Sequence, residues 1–153
     1  MSSFVHQTYI REWANCLQVP IVSVDYGKAP SRPFPCGLKD CFEAYMWVMC
    51  VFRRVFAVRP ERVVFVGDSA GGNLAASLVS LLIEWKMPLP DGLVLVYPAL
   101  NLDIEEYTPS LLTALDDLIL PHTLLKLCAK AYLCATKLDP KTCPLISPIF
   151  TSP

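Results

Sequence analysis

Gly67-Asp68-Ser69-Ala70-Gly71-Gly72-Asn73 is the stretch that decides how this chain is read. Four apolar residues, Val63-Val64-Phe65-Val66, precede it, and an apolar run from Leu74 to Ile83 follows. The order is buried strand, glycine-rich turn, helix. A strand that turns abruptly into a helix forces the turn residue into a strained backbone conformation, often with φ > 0. Glycines two positions to either side, Gly67 and Gly71, let the two backbones approach without Cβ clashes. The hydroxyl of Ser69 is then lifted clear of the sheet, and the helix behind it points free N–H groups at the same spot. Ser69 is the candidate nucleophile and the Ala70 N–H a candidate oxyanion donor. Gly67, Asp68, Gly71, Gly72 and Asn73 are expected to support the turn. An idle serine in a glycine-rich turn is the bland alternative. A phosphate cradle fits worse, because neither G-x-x-x-x-G-K-[ST] nor G-x-G-x-x-G occurs.

The chain has 153 residues, 54% apolar and 18% charged, enough for one domain with most elements buried. Its net charge of −1 gives no reason to expect nucleic acid, and no basic patch interleaved with aromatics is read from it. The longest apolar candidate for a membrane span, residues 44–52, stops at Arg53 and Arg54, well short of the ~20 residues required. The start, Met1-Ser2-Ser3-Phe4-Val5-His6, lacks the basic and apolar regions of a signal peptide. The seven cysteines are odd in number and form no C-x-x-C, so buried free thiols in a reducing cytoplasm are expected, rather than disulfides or a zinc site. No metal or cofactor is implied.

In chain order, the spacing of Tyr9, Ile10, Trp13, Ala14 and Leu17 predicts a helix over 8–17 with one apolar face. Residues 21–26 read as a β-branched strand. Pro30, Pro33 and Pro35 make 27–37 an ordered loop. Leu38, Phe42, Tyr45, Met49 and Phe52 form a core-facing stripe on a helix over 38–56. After the strand at 63–66 and a helix over about 70–86 comes a third strand, 93–97. Alternating strands and helices imply a parallel sheet with flanking helices. Residues 99–117 have no clean period, and Asp103, Glu105 and Glu106 read as a solvated face. A helix is expected over 121–133, with Pro121 in its first turn, and 139–153 reads as an extended loop.

These pieces together resemble the hormone-sensitive lipase family of α/β-hydrolases. The resemblance rests on Gly67-Asp68-Ser69-Ala70-Gly71-Gly72-Asn73, a nucleophile elbow in that fold. It also rests on Val24-Asp25-Tyr26, Ala29-Pro30, Pro33-Phe34-Pro35, Cys41-Phe42-Glu43-Ala44-Tyr45, Tyr97-Pro98-Ala99 and Leu118-Ile119-Leu120-Pro121. It runs through nearly the whole chain and is closer to the catalytic domain of the animal members than to bacterial ones. It implies a serine carboxylester hydrolase acting on acylglycerol or other lipid esters through an acyl-enzyme. Lipid-droplet attachment is a further implication.

The departures bear on activity. The family's His-Gly-Gly-Gly oxyanion loop is absent from this sequence, as are the later Asp and His of the triad. The expectation is a single partial domain over 1–153, the central part of the fold, incomplete at both ends and inactive alone. The strands at 21–26 and 63–66 should then stand apart or pair directly. Two histidines are present: His6 is expected to be structural or orienting, and His122 a surface or cap residue. Asp68 is expected to anchor the turn by hydrogen bonds. The competing reading is a non-catalytic lipid- or protein-binding module.

Overall fold

A computed structural model of the chain describes residues 3–105 and 120–151. Helix α1 (Ser3–Leu17) is followed by α2 (Cys36–Cys50), α3 (Phe52–Phe56), strand β1 (Val64–Asp68), α4 (Ala70–Glu84), β2 (Gly92–Val96) and α5 (His122–Leu133), with a 3₁₀ turn at Pro148–Phe150. β1 and β2 pair in parallel, in a register running from Val64 opposite Gly92 to Asp68 opposite Val96. A parallel pair needs a crossover, and α4 supplies it.

The sequence of α4 explains its place. Leu74, Ser77, Leu78, Leu81 and Leu82 recur at helical spacing and are buried. Leu82 is fully buried and joins Phe34, Leu38, Tyr45, Leu74, Leu78 and Ile146 in the core. The Tyr45 and Phe65 rings pack nearly perpendicular at 5.1 Å, and the Tyr45 hydroxyl donates to the Pro88 carbonyl at 2.9 Å. One side chain of α2 thus fixes both β1 and the approach to β2. The proline loop is tied to α2 as well. Asp40 accepts from the Gly27 N–H at 2.7 Å and from the Arg32 guanidinium at 2.9 Å. The Gly27 bond first, and the arginine after it, hold its carboxyl below the usual range. α5 is joined where the Phe34 N–H donates to the Tyr132 carbonyl at 2.8 Å.

Several expectations are corrected. Residues 21–26 are not a strand of the sheet, and they form no ladder with β1 among the described residues. Strand structure needs a hydrogen-bonded neighbour, which β-propensity cannot supply. The expected helix over 38–56 breaks at Val51 into α2 and α3, and Met49 is exposed. Pro121 precedes α5 as its N-cap, with φ −61° and ψ 146°, instead of lying in the first turn. Residues 139–151 include the 3₁₀ turn. Trp13 and Leu17 of α1 are exposed. So are Val64 and Val66 of β1, at 54% and 53%, because only one face of the strand pair is covered among the described residues. The seven cysteines are free, but Cys16, Cys50, Cys128 and Cys134 are exposed. Cys41 is largely buried, and burial, with Asp40 beside it, pushes its thiol up to about 11. Asp103 is largely buried and pairs with Lys141 at 3.4 Å, whereas Glu105 is exposed and pairs with Lys126 at 3.0 Å. Glu106, residues 106–117 of the aperiodic stretch and Leu118-Ile119 lie outside the described residues.

Candidate active site

Ser69 sits where β1 becomes α4, with φ 52° and ψ −117°. That backbone region favours glycine, and a non-glycine residue there costs on the order of 1–3 kcal/mol. The main chain around it is held at three points. The Ser69 N–H donates to the Val96 carbonyl at 3.0 Å, and the Ser69 carbonyl accepts from Asn73 at 3.1 Å and Ala99 at 3.2 Å. Tyr97, just past β2, is also left-handed, with φ 38°. Two strained residues therefore lie together at the C-terminal ends of the strands. The Ser69 side chain makes no capping bond to α4. Ala70, the first residue of α4, has an N–H with no intrahelical acceptor.

The glycines divide differently from the simple motif. A Cβ on Gly67 would lie 2.3 Å from the Gly71 carbonyl oxygen and 2.8 Å from the Gly72 nitrogen. One on Gly72 would lie 2.7 Å from the Pro98 Cβ. One on Gly71 would meet nothing nearer than an Asp68 carboxylate oxygen at 3.9 Å. The close approach is made by the peptide of Gly71 pressing on Gly67, so Gly67 and Gly72 are the positions where a side chain cannot fit.

Asn73 is only 3% exposed. Its Nδ2 donates to the Ala99 carbonyl at 2.7 Å and to the Ile146 carbonyl at 2.9 Å. Asn73→Ala strands both acceptors and is expected to destabilise the fold by about 2–4 kcal/mol. Chemical denaturation checks this; a cost below about 1 kcal/mol would show that the two bonds are not structural.

Among the described residues Asp68 does not anchor the turn by hydrogen bonds as expected. Its carboxylate faces α1, with Oδ1 3.7 Å from His6 Nδ1. That nitrogen shares a 2.5 Å hydrogen bond with the Tyr9 hydroxyl. Burial, and then the Asp68 charge, raise the Tyr9 phenol above its usual range. Tyr26 is raised as well, first by burial, then by Cys41 and Asp68. His6 therefore sits beside the elbow, bound to Tyr9. His122 opens α5 half-buried, and its Nδ1 is buried with no hydrogen-bond partner among the described residues. Among the described residues no group of His, Cys, Asp and Glu could hold a metal ion. Two concavities, of 420 and 540 Å³, are both lined by residues outside 67–73.

The long-range partners of the turn were not legible beforehand. Val96, Ala99 and Ile146 contribute backbone atoms only, which leave no mark in a sequence. The one available signal was a polar Asn73 opening an apolar helix.

Comparison with known proteins agrees with this geometry. The chain is 39% identical over 129 residues to hormone-sensitive lipase of Homo sapiens, a match covering 83% of this chain and 12% of that protein. It is 39% identical over 103 residues to arylacetamide deacetylase of Mus musculus, covering 64% of this chain and 25% of the relative. The hyperthermophilic esterase of Pyrobaculum calidifontis superposes with a TM-score of 0.90 at 31% identity, over 99% of this chain and 49% of that one. The chain thus spans a small part of the lipases it matches and about half of the archaeal esterase. A family model described as alpha/beta hydrolase fold matches residues 1–153. With its strand–serine–helix turn and its parallel strands, the chain belongs to the alpha/beta hydrolase fold family, where its relatives include the hormone-sensitive lipases.

Proposed function

We propose that this chain is the nucleophile-bearing part of a serine carboxylester hydrolase acting on acylglycerol or other lipid esters. The observation that carries the reading is Ser69 at φ 52°, its hydroxyl unused by the fold and set at the start of α4. Names of the relatives, lipase, deacetylase and esterase, support the same reaction class. Ser69 Oγ attacks the ester carbonyl while a base takes its proton. The Ala70 N–H donates to the oxyanion. The tetrahedral intermediate collapses, the protonated alcohol leaves, and water releases the acid from the acyl-enzyme. The base and its carboxylate partner come from beyond this partial domain, as does the rest of the oxyanion hole. Residence in the cytoplasm and attachment to lipid droplets accompany this reading.

A chimera tests it. Residues 1–153 replace the superposed half of the Pyrobaculum calidifontis esterase, which supplies the remaining sheet. The chimera is expected to hydrolyse p-nitrophenyl butyrate, and Ser69→Ala to lower kcat on the order of 10⁶-fold. A folded chimera whose activity is unaffected by that substitution would overturn the assignment.

A further inference from the structure

Asp68 stands two and three positions before Ala70 and Gly71. An aspartate at that spacing ordinarily turns its carboxylate onto those N–H groups, as an Asx turn or a helix cap. The pull towards them is strong here. The first N–H groups of α4 have no intrahelical acceptor, and the positive end of the helix attracts an anion. The reach is short as well, because Oδ1 lies 3.9 Å from where a Cβ on Gly71 would stand. Among the described residues the carboxylate nevertheless makes no bond to the turn. It faces α1 instead, with Oδ1 3.7 Å from His6 Nδ1.

Two side chains of α1 account for that. His6 Nδ1 and the Tyr9 hydroxyl, three positions on, share their hydrogen bond at 2.5 Å, with the rings 5.4 Å apart. Tyr9 packs in turn on Trp13 at 4.9 Å. The imidazole is therefore oriented from within α1. His6 is the only basic side chain within 4 Å of the Asp68 carboxylate among the described residues. A carboxylate only accepts, so the His6 tautomer that suits it carries the proton on Nδ1.

We propose that His6, held by Tyr9, is a positioning residue that keeps the Asp68 carboxylate off the first N–H groups of α4, so that the Ala70 N–H stays open to the oxyanion. The proposal rests on the reading of Ser69 as the nucleophile. A carboxylate on the Ala70 N–H would do harm twice. It would occupy a donor, and it would set a negative charge where another must form. What matters is where the charge is kept, so removing the carboxylate should undo the loss of the histidine.

The chimera with the Pyrobaculum calidifontis esterase tests this on p-nitrophenyl butyrate. His6→Leu is expected to lower kcat about 10²-fold, the effect of one lost oxyanion donor, with KM unchanged. Asp68→Ala alone should leave kcat near the parent value, and His6→Leu/Asp68→Ala should return it there. His6→Asn, whose amide nitrogen stands in for Nδ1, should hold kcat, whereas His6→Gln, which mimics Nε2, should not. On the chain itself, amide exchange followed by NMR should slow at Ala70 and Gly71 in His6→Leu and recover in the double variant. A role in packing alone predicts a double variant at least as impaired as His6→Leu, and that result overturns the proposal. Parental kcat or unchanged exchange in His6→Leu does so too. Ser69→Ala separates the two readings. Activity that survives it removes the nucleophile; activity that it abolishes, with no rescue in the double variant, removes only the role of His6.

Discussion

Expressed as these 153 residues alone, the chain is expected to hydrolyse p-nitrophenyl butyrate no faster than the buffer blank. Ser69 is the proposed nucleophile, but a serine hydroxyl at neutral pH needs a base in contact with it. The chain offers two imidazoles. The Nδ1 of His6 is bound to the Tyr9 hydroxyl and faces Asp68, the arrangement of an orienting residue. His122 belongs to α5, with its Nδ1 buried. Removing a triad base costs on the order of 10⁶ in kcat, and a missing oxyanion donor costs roughly 3–4 kcal/mol more, although such losses do not simply add. The measurement is initial rate against Ser69→Ala, His6→Ala and His122→Ala. Turnover above the blank that disappears in both Ser69→Ala and His6→Ala would make His6 the base and reverse the expectation.

The second large effect concerns the fold. Gly67→Ala is expected to cost about 3 kcal/mol or more, because its methyl would lie 2.3 Å from a backbone oxygen that cannot move without α4. Gly72→Ala should cost a comparable amount, with its methyl against Pro98. Gly71→Ala should be neutral or stabilise by up to about 1 kcal/mol, since alanine suits a helical position better than glycine. A loss of about 3 kcal/mol lowers Tm by roughly 6–12 °C in a domain of this size, so thermal melts of the three variants separate them. A chain in which Gly71→Ala is the damaging change would contradict the packing described for the turn.

The elbow was legible because everything that defines it is local: an apolar strand, glycines around a serine, and a helical run of leucines. α4, β1, β2 and α5 were legible within a few residues for the same reason. Three features were not. Whether 21–26 becomes a strand depends on a neighbouring strand, and Ile21, Val22 and Val24 have strand propensity with or without one. The break at Val51 lies inside a continuous apolar pattern that carries no glycine or proline. The division of labour between Gly71 and Gly72 depends on Pro98, which the fold brings back from more than twenty positions away. In the candidate site, residue types announced the candidate nucleophile, while Asp68's turn towards α1 and Asn73's grip on two distant carbonyls emerged only in three dimensions.

The Asn73 bond to Ile146 spans 73 positions of chain. A ribosome delivers the chain from its N-terminus, so the elbow emerges long before the peptide that completes it. During that interval the Asn73 amide must be hydrated or held by another partner, and Leu82 lacks the Ile146 side chain that later shares its core. The turn at Ser69 is therefore made well before the carbonyl that locks it.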